Sequence, residues 1–281
     1  MADTKIEWTE KVWNPVVGCT PTGERCRNCY AARMARRLKE MGRPEYQDVT
    51  NERGWNGKVT LIPEKLTLPM RWKKPARIFV DSMGDWMHSM IPQEFIFKMI
   101  DVMRSCHWHT FQTLTGRPAR AASLLRAYSV SYSVFGNALV GCSIATQQEA
   151  NNHLVAMRAL RDMGWRTLVS HEPALEVVNW TGWEFLDWMV CGGESGPGAR
   201  WMPVQAPRAA RDFCKTNGIP FLFKQWGHLR GNYPHETWMV YDDAGWNAHE
   251  KKGGRVLDGK LWDEYPPEYD YNMETNAWTQ R

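Results

Sequence analysis

The sequence predicts an α/β fold, built as a partial or complete barrel of parallel strands. Seven short runs of apolar and β-branched residues recur along the 281 residues, and segments with helical character separate them. Parallel neighbours need crossover connections of about this size. Nearly every run also ends in polar side chains, and such side chains gather at the carboxyl ends of parallel strands. One rim shared by all of them favours a barrel over an open sheet.

The elements follow one another in a regular order of strand and helix. Between the strands, the segments at 92–106 and 146–164 place apolar residues at three- and four-residue spacing, which predicts amphipathic helices. The stretch AARMARRLK at 31–39 predicts a further helix whose charges face solvent, with Met34 and Leu38 turned inward. The seven predicted strands are VWNPVVGC at 12–19, ARIFVDSMGD at 76–85, HTFQTLTGRP at 109–118, NALVGCSIAT at 137–146, RTLVSHEP at 166–173, LDWMVCGGESG at 186–196 and IPFLFKQWG at 219–227.

Two regions interrupt this order. The segment at 42–75 is rich in glycine, proline and charge, and it is either a lid over the substrate or an ordinary connection. After residue 227, short strand-like pieces alternate with Gly and Asp-Gly turns. We therefore expect a barrel over residues 1–227, with a cysteine-bearing loop at 18–30 and the insertion at 42–75. A small β-hairpin extension over 228–281 follows it.

Composition limits the partners of the chain. No apolar run approaches the length that spans a bilayer, and the first residues lack the charged-then-apolar pattern of a signal peptide. We expect a cytoplasmic protein with no membrane partner. The formal net charge of +4 is compatible with a nucleic-acid partner but does not require one. The 16 tryptophans either pack in the core or stack on bases.

Three cysteines stand close together near the N-terminus. Cys19, Cys26 and Cys29 lie within eleven residues, and the other four cysteines are scattered. In a reducing compartment this spacing favours a metal site over a disulfide framework. A structural zinc would need a fourth ligand, for which His88 and His171 are candidates. A four-iron cluster on three cysteines would leave one iron open to a further ligand.

The cysteine loop resembles that of radical S-adenosylmethionine (SAM) enzymes. The resemblance rests on three cysteines after the first strand of an α/β barrel, the last two as CxxC. The first interval is longer than in the usual CxxxCxxC motif, and Asn28 stands where an aromatic residue is usual, with Tyr30 following Cys29. More widely, WNPVVGC, CxxCYA, DSMGD, LTGRP, SHEPAL, GGESGPGAR and FLFKQWG, over residues 7 to 227, are similar to an uncharacterised phage and prophage family named for its three-cysteine motif.

The resemblance implies two cofactors and an enzymatic role. A [4Fe-4S] cluster would bind Cys19, Cys26 and Cys29, and SAM would chelate the open iron through its amino and carboxylate groups. Reductive cleavage of SAM would then give a 5′-deoxyadenosyl radical, with the electron supplied by a partner such as flavodoxin or ferredoxin. If the chain is encoded by a phage, it would work in the cytoplasm of the host cell.

The same resemblance assigns SAM contacts by strand order. The end of the second strand would bind the amino group, and the ends of the fourth and fifth strands would contact the ribose and the methionyl part. These cofactor-binding candidates are Ser82, Gly84, Asp85, Ser143 and Glu172.

The substrate site is expected at the same rim. The glycine-rich loop GGESGPGAR lets backbone approach a ligand closely, and three cations from different strand ends suit an anionic substrate, such as a nucleobase in DNA or a nucleotide. The substrate-binding candidates are Arg117, Gly193, Glu194, Arg200 and Lys224.

Catalytic side chains are less well defined by the sequence. His171 is a candidate acid or base, and Cys142 and Cys191 are candidate hydrogen-atom donors because they fall at strand ends expected to face the cavity. The alternative to an enzyme is a non-catalytic nucleic-acid-binding protein with a structural zinc or iron–sulfur site. Tetrahedral zinc would favour that alternative.

Overall fold

Seven parallel strands form the centre of the fold. The structure, a computed structural model, describes residues 4, 6–228, 241–247, 249–272 and 277–280. Its helices are α1 (Tyr30–Glu40), α2 (Gln93–Ser105), α3 (Pro118–Ser129), α4 (Gln147–Asp162) and α5 (Gln205–Asn217). Its strands are β1 (Lys11–Trp13), β2 (Val16–Val17), β3 (Thr50–Asn51), β4 (Gly54–Trp55), β5 (Thr60–Leu61), β6 (Arg77–Val80), β7 (Thr110–Thr115), β8 (Ala138–Ser143), β9 (Arg166–His171), β10 (Trp188–Gly192), β11 (Phe221–Gln225), β12 (Val256–Leu257), β13 (Lys260–Leu261), β14 (Tyr269–Asn272) and β15 (Ala277–Gln280).

The central sheet follows the order of the chain. Its strands run β1–β6–β7–β8–β9–β10–β11, and every neighbouring pair is parallel. Strands β1 and β11 are the two edges, so the sheet is a half-barrel rather than a closed barrel. The prediction of an α/β fold with a parallel partial barrel is confirmed, and the two helices expected at 92–106 and 146–164 are α2 and α4.

The first predicted strand is shorter than expected. Only Lys11–Trp13 joins the central sheet, whereas Val16–Val17 pairs antiparallel with Thr60–Leu61. Pro15 lies between the two pieces and has no N–H to donate to a ladder, so the strand ends before it. The cysteine loop therefore begins from the small antiparallel pair and not from the central sheet itself.

Alternate residues of each central strand belong to different hydrophobic clusters. The larger cluster contains Val140, Cys142, Val169 and Met189 together with apolar residues of the helices, and it forms the outer face of the sheet. A smaller cluster lies on the inner face and comprises Trp8, Phe79, Leu139, Leu168, Trp188, Val190 and Leu222. Because side chains alternate along a strand, each strand contributes to both clusters. Polar residues on the inner parity therefore point into the half-barrel.

Segments outside the sheet cover parts of it. The segment at 42–75 contributes Tyr46, Val49, Trp55 and Ile62 to a third cluster with the buried alanines of α1. In the C-terminal part, the amide of Phe223 donates to Trp262 O at 2.9 Å, which covers the exposed edge of β11. Strands β12 with β13 and β14 with β15 form two antiparallel hairpins, as expected of a β-rich extension.

Two composition-based expectations can be compared with the packing. Among the tryptophans whose burial the structure describes, ten are buried, which supports their interpretation as packing residues. Met34 is 44% exposed, so its expected inward orientation is wrong, and the buried positions of α1 are Ala31, Ala32 and Ala35. Among the described helices, none combines the length and apolar character that crossing a bilayer would take.

Candidate active site

One cavity of about 340 Å³ opens at the carboxyl ends of the central strands. Its wall is formed by the cysteine loop on one side and by the ends of β6 to β11 on the other. Parallel strands deliver their carboxyl ends to one edge, which explains the convergence. The predicted site residues that line this cavity are Cys19, Cys26, Cys29, Ser82, Gly84, Asp85, Ser143, Glu172, Gly193, Glu194 and Lys224.

The three clustered cysteines lie on the same cavity wall, and each is half-buried. The amide of Thr22 donates to Cys26 Sγ at 3.4 Å. Burial raises the pKa of Cys19 to about 12, with the charge of Asp85 adding to the rise, and burial also raises the pKa of Cys29. The raised pKa values of Cys19 and Cys29 favour their protonated forms, and a bound metal would stabilise the thiolates of these two residues.

The donor set fits a cluster better than a closed zinc site. In the part of the chain that the structure describes, no group of three His, Cys, Asp or Glu side chains is arranged to hold a single metal ion. His88 is already engaged: its Nδ1 accepts from the amide of Met90 at 3.2 Å, so its Nε2 donates to Thr20 Oγ1 at 2.8 Å. Three thiols that line one cavity suit a four-iron cluster, which they would hold through three irons while the fourth stayed open to a further ligand.

A buried ion pair anchors the cysteine loop to the first turn of α4. Arg25 Nη1 lies 2.6 Å from Glu149 Oε1, and both side chains are almost fully buried. The other carboxylate oxygen of Glu149 accepts from the amide of Ala145 at 2.6 Å. Gly116 is required beside this pair because a Cβ there would lie 2.2 Å from Arg25 Nη2. Sequence reasoning missed this pair: T-x-x-E at 146–149 indicates a helix cap but not a partner 124 residues away.

A second anchor joins the cysteine loop to the glycine-rich loop. Asn28 Nδ2 donates to Glu194 Oε2 at 2.8 Å, and Arg200 Nη2 donates to Glu194 Oε1 at 2.7 Å. Arg200 also reaches Glu24 Oε2 at 3.0 Å. Burial alone would raise the pKa of Glu194, but the hydrogen bonds from Arg200 and Asn28 outweigh it and lower that pKa. Glu194 and Arg200, which were expected to bind substrate, thus join two protein loops.

The solvent face of α1 also contributes to this second anchor. Arg33 Nη2 donates to Ser195 O at 2.6 Å and Arg33 Nη1 donates to Pro197 O at 3.1 Å. The helical pattern of AARMARRLK explains why Arg33 points outward, but it gives no signal for a partner 162 residues later in the chain. Arg33 is therefore a site-organising residue that sequence reasoning missed.

Asp85 is fully engaged in holding the strand ends together. Its Oδ1 accepts from Thr115 Oγ1 at 2.6 Å and from the amide of Met87 at 3.0 Å. Its Oδ2 accepts from the amide of Gly116 at 3.1 Å and from Arg117 Nη1 at 2.5 Å. Both carboxylate oxygens are thus saturated, and the charge of Arg117 is neutralised. Arg117 and Arg200 do not line the cavity.

Asp81 is the opposite case in the same segment. It lines the cavity and is only 3% exposed, yet neither carboxylate oxygen has a hydrogen-bond partner among the described residues. Burial, together with the charge of Asp85, raises its pKa well above the usual range, and the nearby amide of Val16 opposes this without reaching hydrogen-bond geometry. Its backbone has φ +60°. A buried carboxyl without a partner indicates a place for a ligand.

The inner wall also carries an ion pair that faces the cavity. Lys224 Nζ lies 2.9 Å from Glu172 Oε1, and Ser170 Oγ donates to Glu172 Oε2 at 3.0 Å. Ser143 lies on the same wall. The positive charge of Lys224, like that of Arg117 and Arg200, is therefore already balanced by a carboxylate. The wall offers hydrogen-bonding groups rather than an excess of positive charge.

The three predicted catalytic residues do not reach the cavity. Cys142 and Cys191 are fully buried in the outer cluster beneath the helices, so the expectation that they face the cavity is wrong. His171 is also fully buried, with its Nδ1 donating to Ile144 O at 2.8 Å and its ring against Trp180. Burial lowers its pKa to about 4. The physical reason is strand parity: each of these residues alternates with an inward-facing neighbour.

The fold and the cavity define a structural class, an α/β half-barrel of parallel strands with a cysteine-lined cavity at the carboxyl ends of its strands. The chain belongs to the family described as protein of unknown function DUF5131, which it matches over residues 3–266. No curated protein matches the chain. The phage origin suggested by the sequence motifs stays a prediction.

A solved structure of spore photoproduct lyase shares the architecture. A cysteine-to-serine mutant of that enzyme covers 80% of this chain and 79% of its own, with 12% identity and a TM-score of 0.51. A tyrosine-to-phenylalanine mutant covers 78% and 77%, with 10% identity and a TM-score of 0.47. At this level of identity, the likeness of the first structure shows the fold alone.

Proposed function

We propose that the protein is a radical SAM enzyme whose [4Fe-4S] cluster binds Cys19, Cys26 and Cys29. The observation that carries the proposal is that these three thiols and the Asp81 carboxyl, which has no hydrogen-bond partner among the described residues, line the same cavity. When bound, the cluster would supply the electron for reductive cleavage of SAM, which yields a 5′-deoxyadenosyl radical. The half-barrel fold supports the proposal because the three thiols stand at its carboxyl edge, the usual location of an α/β active site.

Asp81, rather than Asp85, is the carboxylate that we assign to the SAM amino group. Asp85 already accepts four hydrogen bonds, whereas both carboxylate oxygens of Asp81 lack a partner among the residues that the structure describes. An ammonium group beside Asp81 would favour its charged form, offsetting the burial that raises its pKa. Gly84 belongs beside it because a Cβ there would lie 2.8 Å from Asp81 Oδ2. We also keep Ser82 in this subsite, because it lies between Asp81 and Gly84 in the chain and lines the cavity. Ser143 and Glu172 are assigned to the ribose and methionyl parts of SAM.

The inner face protects the reaction. Trp8, Phe79 and Leu114 line the cavity beneath the polar rim, and they exclude water from a reactive intermediate. The Cys142, Cys191 and His171 side chains lie on the other side of the sheet and have no place in the reaction scheme.

The proposed substrate is a nucleobase, in DNA or in a nucleotide, and the outcome is its modification, rearrangement or repair. A cavity with an apolar floor and hydrogen-bonding walls suits the uncharged, flat part of a nucleotide. Gly193 and Lys224 stay assigned to substrate contacts at the cavity wall. The cations expected to hold the anionic part are paired with carboxylates, so the phosphate would bind outside the cavity. A soluble one-electron donor such as flavodoxin or ferredoxin in the cytoplasm completes the proposal.

Metal analysis and spectroscopy test this assignment. We expect anaerobically purified protein to hold about four irons per chain, with a low-temperature EPR signal that SAM changes. The Cys26→Ala variant should lose the signal. The Cys106→Ala variant, which removes a buried thiol of the outer core, should keep it. One tightly bound zinc and no iron in the wild-type protein would overturn the proposal in favour of a structural metal site.

A further inference from the structure

The charge of the chain is unevenly distributed along the sequence. Residues 27–58 contain eight Lys and Arg residues and four Asp and Glu residues, so their net charge of +4 equals that of the whole chain. This segment comprises α1 and the β3–β4 hairpin. The cavity itself carries more carboxylates than cations on its lining. The excess of positive charge is therefore concentrated outside the cavity, mainly on α1.

We call three exposed arginines of this segment the basic face: Arg36 and Arg37 on α1, and Arg53 in the neighbouring hairpin. Arg36 Nη1 donates to Glu52 O at 3.2 Å, which brings α1 against the turn that carries Arg53. None of the three forms an ion pair with a carboxylate in the described ranges. In contrast, Arg117, Arg200 and Lys224 are all paired.

The basic face adjoins the mouth of the cavity. Tyr30, the first residue of α1, and Trp55, two residues after Arg53, both line the cavity. With a rise of about 1.5 Å per residue, Arg36 lies about 9 Å along the helix from Tyr30. A chain of phosphates on the basic face would therefore run past the opening, within reach of a base that enters it.

A helix that binds a membrane surface would bury its apolar side in lipid. In α1 the alanine side is already covered, since Ala31, Ala32 and Ala35 pack into the protein with Tyr46 and Trp55. The exposed residues of α1 are Arg36 and Arg37 together with Tyr30, Met34 and Glu40. The two guanidinium groups can bind phosphate with directed N–H donors. Charge complementarity thus favours a polyanion with accessible phosphates over a lipid bilayer.

We infer that the basic face is a docking surface for the phosphodiester backbone of DNA. The inference extends the proposed function, on which it rests for the role of the cavity, by making the substrate polymeric rather than a free nucleotide. The backbone is held outside by Arg36, Arg37 and Arg53, while a single base leaves the stack and enters the net acidic cavity. This arrangement separates recognition of phosphate from recognition of the base.

Fluorescence anisotropy with short labelled DNA strands tests the inference on the full-length protein. We expect salt-dependent binding, and an affinity loss on the order of tenfold or more in an Arg36→Glu/Arg37→Glu variant. The matched control is Lys98→Glu/Arg126→Glu, which makes the same charge change at exposed positions of α2 and α3. It should change affinity by less than about threefold. An Arg36→Gln/Arg37→Gln variant, which only removes charge, should fall between the wild type and the charge reversal.

Three results would overturn the inference: no DNA binding by the wild-type protein, equal losses in the test and control variants, or tighter binding to anionic phosphatidylglycerol vesicles than to DNA. Circular dichroism of each variant separates unfolding from lost contacts. Iron content and the SAM-dependent EPR change are measured on the same samples. A charge-reversal variant that loses DNA binding but keeps its cluster would support the basic face independently of the cluster. A wild-type protein that binds DNA through these arginines but holds no iron would contradict the proposed function and leave the docking surface in place.

Discussion

Polar side chains at the end of strand β9 have different environments on the two faces of the sheet. On the inner face, Ser170 and Glu172 line the cavity. Ser170 donates a hydrogen bond to Glu172, and Glu172 forms an ion pair with Lys224. Between Ser170 and Glu172 in sequence, His171 points outward, is fully buried, and is held by a backbone carbonyl. One residue of offset thus separates a group that can meet a ligand from one that packs in the core. Chemical type alone does not distinguish the two roles.

A similar contrast separates the two aspartates that follow β6. The Asp81 carboxylate has no hydrogen-bond partner in the described part of the chain, whereas the Asp85 carboxylate accepts four hydrogen bonds from protein groups. A buried carboxylate that is saturated by protein stabilises the fold, and one that is unpartnered is available to a ligand. The comparison therefore predicts opposite consequences for the same substitution at positions four residues apart.

Replacing each aspartate by asparagine should separate stability from binding, and this is the largest effect that we expect. Asp85→Asn leaves the mostly buried Arg117 without its partner and should cost about 3 kcal/mol in the free energy of unfolding. Asp81→Asn should weaken SAM binding on the order of tenfold or more, because the contact with the ammonium group is lost. Chemical denaturation and SAM titration of both variants measure these effects.

The pH dependence of stability adds a test of Asp81 itself. Its pKa is raised in the folded state, so above the usual aspartate pKa the unfolded state releases this proton more readily. Asp81 therefore lowers stability as pH rises towards its folded pKa, and Asp81→Asn should be more stable than the SAM-free wild type at neutral pH. A less stable Asp81→Asn variant with unchanged SAM affinity would mean that Asp81 is a structural residue like Asp85.

His171→Asn tests the outer face. Burial lowers the pKa of His171 to about 4, so the unfolded state binds its proton more strongly between that pH and the ordinary value of about 6.5. The wild-type protein should then lose up to about 3 kcal/mol of stability from this group as pH falls through that window. The variant keeps a donor to Ile144 O but should lose this part of the pH dependence, as measured by urea unfolding at a series of pH values.

The matched inner-face variant is Glu172→Gln. It should alter SAM or substrate affinity, because Glu172 lines the cavity, whereas His171→Asn should leave SAM affinity within about threefold of the wild type. If His171→Asn abolished SAM binding while the protein stayed folded, the division of β9 into a ligand face and a core face would be incorrect.

The strands and the gathering of the three thiols could be predicted from sequence because both depend on local pattern. Apolar runs and crossover lengths define the parallel sheet, and short spacing keeps Cys19, Cys26 and Cys29 together. The roles of Asp81 and Asp85 could not be predicted, because they depend on which donors the neighbouring strand brings. The same holds for Arg25 and Glu149, which meet only after β8 and the cysteine loop are assembled. The face of the sheet on which Cys142 and Cys191 lie could not be predicted, because their strands are apolar on both faces.

The smallest expected effect concerns Glu194, which joins the loops on either side of the cavity. Glu194→Gln removes the charge that accepts from Arg200 and Asn28, and it should cost on the order of 1–3 kcal/mol at neutral pH. The folded pKa of Glu194 is lowered, so its contribution is present above the ordinary glutamate pKa and is lost as pH falls through the folded value. The wild type and the variant should therefore converge in acid, as followed by denaturant unfolding. Since Asn28 lies between Cys26 and Cys29, the variant should also hold iron less tightly at neutral pH. A variant of unchanged stability and unchanged iron retention would show that the cysteine loop is positioned by the Arg25–Glu149 pair alone.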